Sequence, residues 1–459
     1  MRPLPASRGL SGLVVIALVG LALGHAGEAG AAPGPSIPID GRSFSKPLGS
    51  DRSRFPVQTD EIEQLYAVNV GEKHPPYEGW CTQEDFHRIS GWGFNSIRLL
   101  LIWDAIEPEP GEYDENYLRM IDERIAWARN AGLGVVLDMH QDLYGPKIPG
   151  GDGAPEWATR DQGKPHIFPG GVWSMAYYTS PMVQASFDSF WSNAPGPGGV
   201  GLQERYAAMW RHVAGRYADN STVIGHDLMN EPFIGGRIGV FQTEIAPIIA
   251  PHLGMSASSP VHEMLGVLGQ PERIIEALSK AEVFSAVLEK GTPIFQEFER
   301  VALQPMYQRV ADAIREVDRR HWLFIEPSVS ANTGFRSAIQ PVRGKDGKTD
   351  PLQAYAPHAY DLVTETALAG QVSAERMKRI VSELRAHADE MGLPLFVGEW
   401  GAYPNSEEGA RCASEMMEIL SEARAGHAYW VYSRDFKATA CFKPLTRKGS
   451  GRGDRAVPQ

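Results

Sequence analysis

The 459-residue sequence has little cysteine, no excess of basic residues and one long apolar run, which lies near its N-terminus. Three cysteines without a CxxC pair argue against a disulfide framework and against a zinc site. The net charge of −12, from 44 Lys and Arg against 56 Asp and Glu, disfavours nucleic acid or an anionic membrane surface as a partner. Because no later segment is apolar over the ~20 residues that a membrane span needs, stable membrane insertion is not expected.

The cysteines Cys81, Cys412 and Cys441 are odd in number, so an exported protein would have at least one thiol unpaired or bonded to another molecule. A Cys412–Cys441 disulfide is one hypothesis, because both residues fall near the C-terminal end of the fold. Three reduced and buried thiols are the alternative.

The N-terminus has the pattern of a secretory signal peptide over residues 1–32. Arg2 and Arg8 precede an apolar run at 10–23, which is too short to span a bilayer, and Ala31 and Ala32 are small residues suited to cleavage. The sequence therefore predicts a secreted protein. A Pro-, Ser- and Gly-rich leader follows at 33–60.

Eight short β segments alternate with amphipathic stretches over residues 61–436. Buried strands separated by helices imply a parallel sheet covered by helices, and eight such units imply a (β/α)8 barrel. The alternative is an open doubly wound sheet, which is weakened by the lack of a GxGxxG turn after the first strand. The predicted strands lie at 65–69, 96–101, 134–139, 223–229, 322–325, 353–356, 395–398 and 428–432. The predicted helices lie at 81–90, 116–131, 203–217, 373–390 and 407–425.

Two long insertions leave the carboxyl ends of strands, which is the face of a barrel that carries active sites. One spans about 144–200 after the third strand and is rich in aromatic residues; the other spans about 233–300 after the fourth. They either pack on their own neighbours or form a wall around an apolar ligand. A polar, Gly-rich tail at 437–459 has no apolar helical period, so the eighth helix of the barrel is expected to be missing.

Two carboxylates follow predicted strands, Glu231 in Asn-Glu-Pro after the fourth and Glu399 in Gly-Glu-Trp after the seventh. Cleavage of a glycosidic bond needs such a pair, one protonated to assist the leaving oxygen and one ionised to attack or stabilise the anomeric carbon. Carboxylates alone can perform this reaction, so no metal or organic cofactor is predicted. Glu326, after the fifth strand, is interpreted as secondary support. Four acidic residues after the second strand are interpreted as a solvated loop: Glu107, Glu109, Glu112 and Asp114.

The two motifs together resemble the retaining β-glycosidases of clan A, in particular glycoside hydrolase family 5. Five further residues match the active-site set of that family and span nearly the whole barrel: Arg98, His140, His358, Tyr360 and Trp430. Within the family, the segment from Asp138 to Gly145, followed by Gly150 to Pro155, resembles the endoglycoceramidase branch. Lys73 in Asn-Val-Gly-Glu-Lys on the first strand is similar to that branch too.

The resemblance implies a role for each matched residue. Glu231 would be the acid/base, Glu399 the nucleophile, and Asn230 would hydrogen-bond the sugar 2-hydroxyl. Arg98 would keep Glu399 ionised, Tyr360 would donate to Glu399, and His358 would orient Glu231. Four further residues would bind the sugars at the −1 and −2 positions: Lys73, His140, Asp142 and Trp430. The indole ring of Trp430 would stack on the −1 sugar.

The favoured function is hydrolysis of glycosphingolipids between glycan and ceramide, by a monomer. Members of that branch carry a β-sandwich after the barrel, and only 29 residues follow Trp430, so this domain is expected to be missing here. Enzymatic alternatives are an exo-acting glucosylceramidase or steryl-β-glucosidase and a β-1,4-glucanase or mannanase. An inactive glycolipid-binding barrel is the alternative outside enzymes.

Overall fold

The protein, as a computed structural model, is described over residues 57–168, 173–258, 271–278, 280–366 and 368–446. The predicted signal peptide, most of the leader and the last part of the tail lie outside these residues. Eight strands match the predicted positions to within a few residues. They are β1 (Tyr66–Val70), β2 (Ser96–Ile102), β3 (Gly134–His140), β4 (Val223–Asp227), β5 (Trp322–Ile325), β6 (Gln353–Tyr355), β7 (Phe396–Gly401) and β8 (Gly426–Trp430).

The strands form one parallel sheet in the order β6-β5-β4-β3-β2-β1-β8-β7. The ends of this sheet meet, because a parallel bridge joins Tyr355 of β6 to Leu395 beside β7. Backbone bonds continue along the same seam from Gly398 to Pro357 at 3.0 Å and from Ala359 to Glu399 at 2.9 Å. The fold is therefore the predicted (β/α)8 barrel.

Helices separate most of the strands, and the predicted helix limits are nearly correct. In the helix after β2, Asp114 caps the first turn by accepting from the amides of Asn116 and Tyr117, and Gly132 ends the last turn at φ 79°. The α-helices are Thr59–Ile62, Gln83–Gly91, Trp103–Ile106, Glu115–Ala131, Ala176–Thr179, Pro181–Trp191, Leu202–Tyr217, Ile238–Ile249, Pro271–Leu278, Ala281–Phe298, Gln304–Arg315, Ala374–Met391, Glu407–Glu422 and Phe442–Leu445.

The eighth helix of the barrel was predicted to be missing, and among the described residues only the single α-helical turn Phe442–Leu445 follows β8. Aromatic rings cover the barrel wall there: Trp92 packs edge-on against Phe442 at 5.0 Å and stacks on Phe436 at 5.7 Å. Leu445 is buried, and its carbonyl accepts from the hydroxyl of Tyr66 on β1. The start of the predicted tail, up to residue 446, thus belongs to the packed barrel.

The barrel floor is a small apolar cluster that lies below a polar layer. Trp322 is buried in it and donates its indole N–H to the carbonyl of Val57 at 2.8 Å, so the end of the predicted leader also packs on the barrel. The cluster consists of Ile62, Leu65, Ala67, Val136, Ile224, Trp322, Phe324, Ala354, Ala356, Phe396 and Ala428. Because strand side chains alternate, residues two positions after Ala67 and Val136 share the interior face. Those residues are the buried Asn69 and Asp138, where the polar layer begins.

Two sequence expectations are wrong. The Cys412–Cys441 disulfide is not formed: all three cysteines are free, as in the alternative hypothesis, although Cys81 is only partly buried. Glu107 does not lie in a solvated loop, because its buried carboxylate accepts from the indole of Trp103 at 2.8 Å and the amide of Gly111 at 2.7 Å. Among the described residues, no helix combines the length and apolarity needed to cross a bilayer.

Candidate active site

Glu231 and Glu399 meet inside the carboxyl end of the barrel. Glu231 lies four residues after β4, Glu399 lies within β7, and both side chains are fully buried. Carboxylate oxygens of the two residues and a ring nitrogen of His358 all lie within 4.8 Å of one another. The fold thus brings two carboxylates, 168 residues apart in the sequence, into one cluster.

Glu399 is held between a cation and a hydroxyl. Arg98 Nη1 donates to Oε1 at 2.7 Å, and the Tyr360 hydroxyl donates to Oε2 at 3.2 Å. Burial raises the pKa of Glu399 above 4.5, and the positive charges of Arg98 and His140 oppose that rise. The pKa of Glu231 is raised further than that of Glu399. The site therefore favours ionisation of Glu399 over ionisation of Glu231.

Glu231 is the more strongly perturbed carboxyl. Its Oε1 accepts from Asn332 Nδ2 at 2.8 Å and lies 2.7 Å from His358 Nδ1, whereas its buried Oε2 has no hydrogen-bond partner. Burial first, and then the charge of Glu399, raise the pKa of Glu231 well above 4.5. Burial also lowers the pKa of His358 to about 3, so this imidazole is neutral. The surroundings of Glu231 accordingly favour its protonated form, and its Oε2 is the oxygen without a partner.

The backbone of Glu231 is also unusual. Its φ of +47° lies in the left-handed region, which costs a non-glycine residue roughly 1–3 kcal/mol unless its surroundings hold it there. The amide of Glu231 donates to Glu326 Oε2 at 2.8 Å. Asn230, the preceding residue, is fixed by Arg98 Nη2, which donates to its Oδ1 at 3.0 Å, and by its own bond to the carbonyl of Gln141 at 3.1 Å.

Arg98 is a buried cation surrounded by carboxylates. Four of them lie within 3.0 Å of its guanidinium: Asp138 at 2.9 Å, Asp227 at 2.9 Å, Glu326 at 3.0 Å and Glu399 at 2.7 Å. Burial lowers the pKa of Arg98, but Asp138 and the other carboxylates outweigh it and raise that pKa well above its usual value. The permanently charged guanidinium of Arg98 thus fixes the polar layer on β2, β3, β4 and β7.

A second charged group lies beside the carboxylate pair, at the ends of β1 and β3. Lys73 forms an ion pair with Asp142, and its ammonium lies 3.6 Å from Asp152 and 5.3 Å from the ring of Trp430. Burial alone would raise the pKa of Asp142, but Lys73 lowers it to about 2. Burial raises the pKa of Asp152 to about 7. The ammonium of Lys73 lies further from Asp152 than from Asp142, so it opposes this rise less.

His140 connects this group to Glu399. Its Nδ1 lies 2.8 Å from Asp138 and 3.9 Å from Glu399, and its ring stacks on Trp430 with centroids 5.3 Å apart. Burial and Lys73 lower the pKa of His140, but Asp138 and Asp142 more than compensate and raise it to about 10. Several buried polar atoms here have no hydrogen-bond partner: His140 Nε2, Asp142 Oδ1, Asp152 Oδ1 and Trp430 Nε1. Such atoms suit a polyhydroxylated ligand.

All ten residues predicted for the site are therefore brought together. The sequence analysis missed Asn332, which lies in the irregular turn Val329–Thr333 and carries no motif. It also passed over Asp152, although the segment containing it was singled out, and Asn69, whose Oδ1 accepts from Arg98 at 3.2 Å. Glu326 was given only a supporting part.

The two insertions pack on each other beside Glu231. Phe233, two residues after Glu231, lies 4.8 Å from the ring of Tyr177 and 5.4 Å from that of Phe187. The carbonyl of Phe233 accepts from the indole of Trp191 at 2.8 Å. The first expectation for these segments is confirmed, because the aromatic rings pack on one another beside Glu231. A wall around an apolar ligand stays a prediction.

Clusters of acidic and histidine side chains in the site have the spacing of metal ligands, and two protein cations lie beside them. Lys73 lies against His140, Asp142 and Asp152, and Arg98 binds the carboxylates below.

The family model for cellulase of glycosyl hydrolase family 5 matches residues 51–248 and 279–435. The chain belongs to glycosyl hydrolase family 5. Endo-glycoceramidase II from Rhodococcus sp. superposes with a TM-score of 0.61 and 28% identity, over 83% of this chain and 78% of that one. That protein has been solved as a lactosyl-enzyme intermediate and in complex with ganglioside GM3.

Curated relatives of this family 5 chain include an endoglycoceramidase and a glucosylceramidase. The endoglycoceramidase of Hydra vulgaris is 26% identical over 291 residues, covering 57% of this chain and 46% of that protein. The glucosylceramidase of Aspergillus fumigatus is 33% identical over 216 residues, covering 39% of this chain and 28% of that protein. The matched stretches span less than half the length of these relatives.

Proposed function

We propose that this family 5 chain is a retaining β-glycosidase that hydrolyses glycosphingolipids between glycan and ceramide. The observation that carries the proposal is the pair Glu231 and Glu399, with oxygens within 4.8 Å and unlike surroundings. Retaining glycosidases hold their carboxyl groups about 5–5.5 Å apart, whereas inverting ones need about 6.5–9.5 Å to admit a water molecule.

In the first step, the ionised Glu399 attacks the anomeric carbon and forms a glycosyl ester. Glu231, protonated on the available Oε2, donates its proton to the leaving oxygen. In the second step, Glu231 removes a proton from water, which hydrolyses the ester and regenerates Glu399. Arg98 and Tyr360 stabilise the charge of Glu399, and His358 and Asn332 orient Glu231 through Oε1.

The unpartnered polar atoms beside the pair bind the sugars. Lys73, Asp142 and His140 supply hydrogen bonds to hydroxyls, and Trp430 supplies an aromatic surface for the reacting sugar. Asn230, held by Arg98, faces the 2-hydroxyl. A glycolipid is favoured over a polysaccharide because endoglycoceramidases and glucosylceramidases are among the matched relatives and aromatic rings border Glu231.

The test is incubation with lactosylceramide, glucosylceramide, a steryl glucoside and carboxymethyl cellulose, with products read by mass spectrometry and Glu399→Ala as control. We expect the wild-type protein to release lactose and ceramide from lactosylceramide and the Glu399→Ala protein to release neither. NMR of the wild-type reaction should show that the β-anomer of lactose is released first. Glucose from glucosylceramide alone would instead establish the exo-acting activity that the Aspergillus fumigatus relative favours. Cleaved cellulose alone, or no product from folded protein, would contradict the proposal.

We also propose that the chain is exported and acts as a monomer. The support for export is the basic, apolar and small-residue pattern of residues 1–32. Expression of the full chain in an exporting host should yield a mature N-terminus close to Ala31 or Ala32 by sequencing. Light scattering of that product should give the mass of one chain; retained intracellular protein or a dimer would contradict these two points.

A further inference from the structure

Glu326 is a buried carboxylate directly after β5 that the double displacement does not use. Its Oε2 accepts the backbone N–H of Glu231 at 2.8 Å, and its Oε1 accepts from Arg98 Nη2 at 3.0 Å. Oε1 also lies 3.2 Å from Nε2 of His358, the imidazole that contacts the side chain of Glu231. One side chain thus reaches Glu231 directly and through a second residue.

The same contacts link the two carboxylates of the site. Arg98 donates to Glu326 through Nη2 and to Glu399 through Nη1 at 2.7 Å. A continuous path therefore runs from the amide of Glu231 through Glu326 and Arg98 to Glu399. All these side chains are at most 1% exposed, so water does not compete for the bonds.

The bond to the amide matters because Glu231 adopts the left-handed conformation, with φ +47°. An L residue rarely adopts this conformation unless its backbone is held. From it, Oε1 reaches Asn332 and His358 and Oε2 is left available. Relaxation of the backbone would displace this carboxyl while leaving Glu399 in place.

We propose that Glu326 is a positioning residue for the acid/base: it holds the backbone of Glu231 in the left-handed conformation and fixes that residue, through Arg98, relative to Glu399. This rests on the proposed retaining mechanism. It predicts that loss of Glu326 impairs proton donation more than nucleophilic attack, and that a neutral side chain with an acceptor oxygen at the same place suffices.

Asp227 provides the matched control. It is equally buried and bonds to Arg98 Nε at 2.9 Å, and among the described residues its carboxylate hydrogen-bonds to no other group. If Glu326 acted merely by supporting Arg98, Glu326→Ala and Asp227→Ala would have the same kinetic effect. If Glu326 positions Glu231, the two variants differ in how the effect depends on the leaving group.

The experiment compares kcat/KM for octyl β-lactoside, whose alcohol needs protonation, with that for 2,4-dinitrophenyl β-lactoside, whose phenolate leaves unaided. For Glu326→Ala we expect a fall of roughly 100-fold for the octyl glycoside and less than about 10-fold for the activated one. For Asp227→Ala the two values should fall by the same factor. Glu326→Gln, which keeps an acceptor oxygen, should hold the wild-type ratio to within about threefold.

Equal falls for both substrates in folded Glu326→Ala would overturn the positioning role. If circular dichroism shows that this variant does not fold, Glu326→Gln decides alone: a wild-type ratio supports the proposal and a tenfold lower ratio overturns it. A wild-type protein that cleaves the lactosides but not lactosylceramide would contradict the proposed function without contradicting the positioning role of Glu326. A wild-type protein that cleaves neither class overturns both.

Discussion

Arg98 Nη1 donates to Oε1 of Glu399 across 2.7 Å, inside a barrel in which neither side chain contacts solvent. Three more carboxylates share the same guanidinium, so removing one of them leaves the cation paired. Removing Arg98 itself would take from four buried acids the cation that they share. The arrangement explains how an ionised glutamate can persist at this depth.

Glu399→Ala should abolish turnover of lactosylceramide, with a loss in kcat of about 10³-fold or more, because no other group can attack the anomeric carbon. Initial rates by mass spectrometry would measure it. Glu383→Ala is a suitable control, because that glutamate lies on the helix Ala374–Met391, away from the site. A Glu399→Ala protein within about tenfold of wild type would exclude this residue as the nucleophile.

The pH profile should have a limb from each carboxyl. Activity needs ionised Glu399, so it should be lost as pH falls through a pKa that burial raises above 4.5. It also needs protonated Glu231, so it should be lost as pH rises through the still higher pKa of that residue. Rates of lactoside cleavage across pH would show both limbs.

Asn332→Ala should move the alkaline limb of that profile to higher pH. Asn332 donates to Glu231 Oε1, and a donor stabilises the ionised form, so its loss favours the proton. The same kinetics over the same pH range would check this. An alkaline limb displaced to lower pH would show that Asn332 does not stabilise the carboxylate.

Lys73→Met should raise KM for lactosides by about tenfold or more while changing kcat less, because the Lys73–Asp142 pair lies beside the carboxylates rather than between them. It should also lower stability, by up to roughly 3–5 kcal/mol, since the buried Asp142 loses its ammonium partner and keeps the imidazole of His140, 3.6 Å away. The control is Lys147→Met, whose pair with Asp161 at 2.8 Å is partly exposed. Equal effects of the two variants on KM would argue against sugar binding at Lys73.

Trp322→Ala should lower the free energy of unfolding by roughly 3–5 kcal/mol, because it leaves a cavity in the barrel floor and removes the bond to Val57. Trp322→Phe should cost less, since it keeps most of the ring volume. Urea denaturation followed by circular dichroism would measure both. A change below about 1 kcal/mol for the alanine variant would mean that the floor repacks.

The strand and helix pattern of the barrel could be read from the sequence because it is local. Continuous apolar strands, the helix cap at Asp114 and the stop at Gly132 are each decided within a few residues. The positions of Glu231 and Glu399 followed from the same pattern, since parallel strands present their carboxyl ends on one face. Glu107 was misread because its burial depends on a neighbouring indole rather than on the local charge pattern.

What the sequence by itself determined is the barrel, its eight strands and the two glutamates at strand ends, since periodicity and chain direction suffice for these. Only the tertiary structure shows how the surroundings shift the pKa of each carboxyl, because those shifts depend on distances to Arg98, His358 and Asn332, which lie on separate elements. It also decided the part played by Glu326, through a bond between a side chain after β5 and a backbone amide after β4. No sequence period encodes such contacts, because they arise only when the sheet closes.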